Sequence, residues 1–201
     1  MPILIRDPDL EEAFRARLAV EQPDRVSEVW DGVEIMSPLA RIEHQALLLW
    51  LGAVLLAQID RSRGDRCTAG GNVSDTPGSR WVDNYRIPDI IVALAGGVAI
   101  HRGTHWLGGP DLVVEILSPA EDPALKFDFY ASVGCRELMV VDLQPLAVEL
   151  YCPANGTMIL AGRADAAGGI ATSVVLPLTY RVVAGPQLEV SHTGTGQTWI
   201  F

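Results

Sequence analysis

The chain has 201 residues, 49% of them hydrophobic and 20% charged, enough apolar material for one full core and too much for a disordered polypeptide. The formal net charge is −10, and the basic residues form no cluster larger than Arg61, Arg63 and Arg66, which weighs against a protein that neutralises nucleic-acid phosphates with Lys and Arg clusters. Cys67, Cys135 and Cys152 are three in number and widely spaced, which fits neither a disulfide framework nor a cysteine zinc site and reads as core or reactive thiols, core being the commoner case.

The opening stretch, MPILIRDPDLEEAF, lacks a basic segment followed by a long apolar run, so the cytoplasm is the expected compartment. Residues 9–20, DLEEAFRARLAV, carry Leu10, Phe14 and Leu18 at helical spacing with acids in the first turn, which predicts an amphipathic helix. Two short alternating runs in RVSEVWDGVEIMSP meet at Asp31-Gly32, a strong hairpin signal. The segment IEHQALLLWLGAVLLAQIDR holds only about a dozen apolar residues between its polar brackets, fewer than the ~20 a membrane span needs. It is expected to be a buried core helix, with no membrane role.

Residues 64–84 are rich in Gly, Asp, Asn, Ser and Pro and predict strand fragments joined by loops. YRIPDIIVAL and DLVVEILS fill both parities with β-branched residues and leucine, as central strands covered on both faces do. The stretch between them, AGGVAIHRGTHWLGGP, is long enough for a hairpin of its own. Residues 122–133 fit a helix with Asp122 as N-cap, Pro123 at the first position and Gly134 at the end. ELMVVDL and AVELYC follow as strands with Gln144-Pro145 as their turn, and strand-like sequence continues from residue 153. The expected architecture is a single domain over 1–201 of α/β (α+β) class, a mixed central sheet flanked by helices, with an N-terminal helix and hairpin and extra C-terminal strands.

Glu115 sits inside the oily run VVEIL, where an ionised carboxylate costs several kcal/mol unless it is paired or binds a cation. Asp111 lies four strand residues away, ~13 Å. Two carboxylates on one Mg²⁺, each about 2.1 Å from it, must approach within about 4 Å. Asp89, at the start of a separate buried strand, is the better candidate. Lys126 is the only lysine among fifteen basic residues, and from the segment after the Glu115 strand its ammonium can point back toward that carboxylate. The plain alternatives are that Glu115 bonds an arginine or backbone amides and that Lys126 is a surface helix residue.

The order Pro88-Asp89, Glu115, Lys126 resembles the PD-(D/E)XK nuclease superfamily. YRIPDIIVA, GGPDLVVEILSP, the run Asp122, Lys126, Tyr130, Gly134, and RELMVVD together resemble its Uma-type branch of restriction-endonuclease-like proteins, in which the lysine has moved from the strand to the following helix. DGVEIMSP followed by His44 resembles the N-terminal part of that branch. The likeness covers roughly residues 25–152, and the chain departs from it at Leu138 and Met139, where aromatic residues are usual. The resemblance implies a restriction-endonuclease-like core in which Asp89 and Glu115 bind Mg²⁺, or Mn²⁺ in its place, and Lys126 assists attack of water on a phosphodiester. It also suggests that Glu34 and His44 line the same cleft, although a solvated acid and an ordinary helix-start histidine account for them too.

Two functions follow as expectations. One is a Mg²⁺-dependent nuclease acting on nucleic acid, DNA rather than RNA. The other is a non-catalytic member of the same fold serving as an interaction or oligomerisation module, for which the acidic balance and the hydrophobic content, suited to a homodimer, are the motive. His101 and His105 are spaced by four, but the flanking glycines place them on a loop rather than a zinc-binding helix, and Trp81, Trp106 and Tyr85 read as packing residues rather than a base-stacking platform.

Overall fold

Asp31 and Gly32 hold φ at 49° and 82°, the pair of positive angles of a type I′ turn. They join β1 (Ser27–Trp30) to β2 (Val33–Met36), with Trp30 opposite Val33. In the computed structural model of the protein the described residues are 27–36, 40–119 and 121–201, together with positions 9, 12 and 13. Apart from those three positions, the helix expected over 9–20 lies outside the described residues.

Along the chain follow α1 (Ile42–Leu56), β3 (Arg66–Ala69), β4 (Asn72–Ser74), β5 (Tyr85–Arg86), β6 (Ile90–Ala93), β7 (Ile100–His101), β8 (His105–Leu107) and β9 (Leu112–Ile116). A 3₁₀ turn at Pro123–Lys126 leads into α2 (Phe127–Ser132). Next come β10 (Glu137–Leu143), β11 (Leu146–Ala154), β12 (Thr157–Asp165), β13 (Ala171–Thr172), β14 (Leu178–Val183), β15 (Gln187–His192) and β16 (Thr198–Ile200).

The central sheet runs β12-β11-β10-β9-β6-β3, with β9 and β10 parallel and the other pairs antiparallel. Its two inner strands are covered on both faces, so apolar residues fill both parities. Ile90, Val92, Leu112, Val114 and Ile116 pack under α1. Ile91, Val113, Leu138 and Val140 pack against Phe129 and Tyr130 of α2. A second sheet, β2-β1-β5-β4-β8-β7, contains the early hairpin and the expected β7–β8 hairpin, and a third, β13-β14-β15-β16, sets Leu178, Tyr180, Leu188 and Val190 into the α1-side core. The result is a mixed α+β fold, richer in sheet than the expected helix-flanked layer.

Two expectations need correction. The helix over 122–133 is a 3₁₀ turn followed by a short α-helix: Asp122 does cap it, accepting from the Ala124 N–H at 3.0 Å, and the segment ends at Gly134 with φ 86°. The buried core helix α1 is buried on one face only, through His44, Leu47, Leu51, Val54 and Leu55. Among the described residues no helix is long and apolar enough to cross a membrane.

Candidate functional site

Pairing of Ile91 with Val113 places Asp89 and Glu115 on one face of the central sheet, at the end where β6 begins and β9 finishes. That face looks toward the segment bearing Lys126 and Tyr130. The Lys126 Nζ donates to Glu115 Oε1 at 3.0 Å and Oε2 at 3.1 Å, and to Glu28 Oε1 at 3.0 Å. The Tyr130 hydroxyl donates to Glu115 Oε1 at 2.5 Å. Asp89 Oδ2 accepts from the Ile116 N–H at 2.6 Å, so one acid fixes the backbone beside the other, while Asp89 Oδ1 pairs with His44 Nε2 at 2.8 Å.

The burial is deep. Side-chain exposure is 8% for Lys126, 7% for Glu115 and 4% for Glu28, against 20% for Asp89. The bland readings of Lys126 as a surface residue and of Glu115 as an acid held by arginine are therefore both replaced by a buried ion cluster. Burial opposes the charge on Lys126, but Glu115 and Glu28 outweigh it and hold the ammonium protonated well above the usual lysine range. Burial pushes the Glu115 carboxyl up to about 8, with Lys126 opposing and Glu28 and Asp89 adding repulsion. The hydrogen bond to Asp89 raises the His44 imidazole against its own burial. Tyr130 is pushed far up, by burial first and then by Glu115. Glu115 and Glu28 thus share the Lys126 ammonium, while Asp89 beside them is paired with His44.

The donor set suits a hard divalent cation with an incomplete protein shell. Each oxygen of a carboxylate has about two acceptor positions. Glu115 Oε1 spends both on Lys126 and Tyr130, whereas Glu115 Oε2 and both Asp89 oxygens each accept one bond from described residues. Among the described residues no three His, Cys, Asp or Glu side chains are grouped to hold a metal. Asp89 and Glu115 are the two carboxylates with acceptor positions left open, the residues that could hold such a cation.

Beside His44 opens a cleft of ≈ 260 Å³ lined by Arg41, Glu43, Ser118, Glu121 and Asp142 among others. His44 is the residue shared between that cleft and the ion cluster, and Asp89 is the cluster's accessible acid.

Residues 11–178 match the Uma2 family, described as "Putative restriction endonuclease". The chain belongs to the Uma2 family. A crystal structure described as "a putative nuclease belonging to DUF820", from Anabaena variabilis ATCC 29413, superimposes with a TM-score of 0.54 at 20% identity, covering 67% of this chain and 75% of that one. At that identity the likeness establishes a shared nuclease-type fold. No curated protein matches the chain. The Uma2 match ends at Leu178, so β14 contributes only its first residue and β15 and β16 lie beyond it.

Within this Uma2 member the fold gathers Asp89, Glu115, Lys126 and His44, and leaves Glu34 out. Glu34 pairs with Val29, whereas Glu28 pairs with Ile35. Directly opposed residues share a face, so Glu28 and Glu34 point to opposite sides of the hairpin. Glu34 lines a separate pocket with Val29, Asp83 and Tyr85. The hairpin acid at the cluster is Glu28, which sequence reasoning passed over. It also accepts from the Trp30 indole and the Ile87 N–H, both at 2.7 Å, and so ties the hairpin to the strand entrance carrying Asp89. Beneath it, Arg86 is buried between the rings of Trp30 and Phe129, at 4.6 and 4.1 Å from their centroids.

Asp111 stays at the far end of β9, bound to Arg136 at 2.9 Å and to the Leu94 N–H at 2.7 Å. His101 sits opposite Trp106, and His105 stacks on Trp81 at 4.7 Å, so the two histidines lie on opposite faces of their hairpin. Trp81 also leans on Tyr85, and Trp106 is 6% exposed: these rings are engaged in internal packing.

Proposed function

We propose that this protein is a divalent-cation-dependent nuclease that hydrolyses phosphodiester bonds, DNA being the preferred substrate. The observation that carries the reading is the single lysine of the chain, buried and held charged between Glu115 and Glu28, within one sheet register of an accessible aspartate. Asp89 and Glu115 would hold Mg²⁺, or Mn²⁺, and that ion when bound supplies an acidified water and polarises the phosphate. Lys126 presents an immobile ammonium to the charge that develops on the phosphoryl oxygens. His44 orients Asp89, Tyr130 orients Glu115, and Glu28 fixes the direction of the ammonium. The scatter of basic residues along the sequence favours a short footprint on the substrate.

The test is nicking of supercoiled plasmid by the purified protein with Mg²⁺ or Mn²⁺. Activity is expected, and Asp89→Ala, Glu115→Ala and Lys126→Ala are each expected to abolish it. Cleavage that persists in all three variants would overturn the assignment. A second reading, a non-catalytic member of the fold acting as an interaction module, draws on the acidic wall of the cleft, Glu43, Glu121 and Asp142. Calorimetry separates the two: heat of Mn²⁺ binding that depends on Asp89 and Glu115 supports the nuclease, and a silent titration supports the module.

A further inference from the structure

From Gln45 through Ala57 helix α1 contains no charged residue. A helix apolar on every side is one that is covered on every side, yet the described residues cover a single face. On the other, Ile42 is 84% exposed, Leu49 75% and Leu56 43%, with Gln45, Ala46 and Ala53 exposed between them. The three large residues recur every seven positions, the spacing that keeps side chains on one seam of a helix pair. Among the described residues nothing packs on that seam.

Bulky and small positions of the stripe mirror one another about Leu49, with Gln45 against Ala53 the one unlike pair. Reversed about Leu49, Ile42 exchanges with Leu56, Ala46 with Gly52 and Gln45 with Ala53. A two-fold dimer needs a surface complementary to itself, and small residues between bulky ones let two helices approach closely. Charge restricts where two copies can meet. Two copies each carrying −10 repel across any acidic face, so an uncharged stripe is where they can meet.

We infer that two copies of the chain pair antiparallel through α1, with Leu49 on the two-fold axis and Ile42 of each copy against Leu56 of the other. One helix face offers less than the about 800 Å² per partner of a standard interface, so the dimer dissociates on dilution. His44 lies on the buried face of the same helix, so the pairing leaves the candidate site in place and does not depend on the nuclease reading.

The experiment is light scattering on the full-length protein across the micromolar range. The mass is expected to approach twice 21.7 kDa at the upper end and to fall on dilution. Leu49→Arg, which sets two guanidinium groups against each other on the axis, is expected to give a monomer at every concentration with an unchanged circular dichroism spectrum. Oxidised Leu49→Cys is expected to link to its own counterpart, the bond mapping to position 49 by mass spectrometry. Ile42→Cys is expected to link only when mixed with Leu56→Cys. A wild-type monomer throughout, or a dimer indifferent to Leu49→Arg, overturns the inference. So does a link formed within one chain between Leu49→Cys and Phe14→Cys, which would assign the stripe to the segment 9–20 instead.

Discussion

Replacing Glu28 with glutamine tests whether the ion cluster is one unit. Lys126 and Glu28 are 3.0 Å apart, with side chains 8% and 4% exposed, so the charge removed lies in a region that water screens little. Breaking a buried ion pair by removing one partner costs about 3–5 kcal/mol, because the other charge stays buried. Lys126 keeps Glu115, which places Glu28→Gln at the lower end, about 3 kcal/mol. The amide also turns a donor toward the Trp30 indole N–H, which now donates to Glu28 Oε2 at 2.7 Å. At 2–4 °C per kcal/mol for a chain of this size, the melting temperature should fall by roughly 6–12 °C. Urea denaturation followed by tryptophan fluorescence measures the free energy. Arg80→Ala is the control, since Arg80 and Asp83 form an ion pair 80% and 51% exposed, and such a pair contributes at most about 1 kcal/mol. A Glu28→Gln loss no larger than that of Arg80→Ala would refute the view that these charges are coupled in a shielded interior.

Further outcomes follow from the same geometry. Mn²⁺ affinity measured by calorimetry should climb as pH rises toward 8 and then level off, since Glu115, raised to about 8 by burial, must release its proton to bind a cation; a flat profile between pH 6.5 and 8.5 would contradict this. Burial pushes the Cys67 thiol to about 11 and the Cys135 thiol to about 12, so at pH 8 neither should react with Ellman's reagent in the native protein, while all three cysteines should react in denaturant. Glu137 is fully buried and accepts from the Ser173 hydroxyl and the Val174 N–H, each at 2.6 Å. Glu137→Ala should leave those two donors unpaired at about 1–3 kcal/mol each and speed amide exchange in β13 and β14 more than in β9, which mass spectrometry reads directly.

Some of this was already legible along the chain. Asp31-Gly32 fixed a hairpin because only a few residue pairs accept two positive φ angles. The runs IIVA and LVVEI announced strands covered on both faces, since each places apolar residues at every parity. Glu115, isolated in such a run, requires a counter-charge, and the single lysine is its natural source. The same two-residue turn sets a register that puts Glu28 and Glu34 on opposite faces, but Glu34 was the acid singled out and Glu28 is the one at the cluster.

What the chain alone left open was which face looks inward. Glu28 meets Lys126 across 98 residues of sequence, and that encounter depends on how the hairpin sheet docks against the central one, a matter of packing between surfaces that no local pattern encodes. The same is true of α1: apolar on every side, it reads as a core helix, and only the arrangement of the layers leaves Ile42, Leu49 and Leu56 facing water. Backbone preferences and periodicity act over a few residues, so sequence determined the elements and their two faces. Burial is a property of the assembled layers, so tertiary structure decided which face became a site and which a surface.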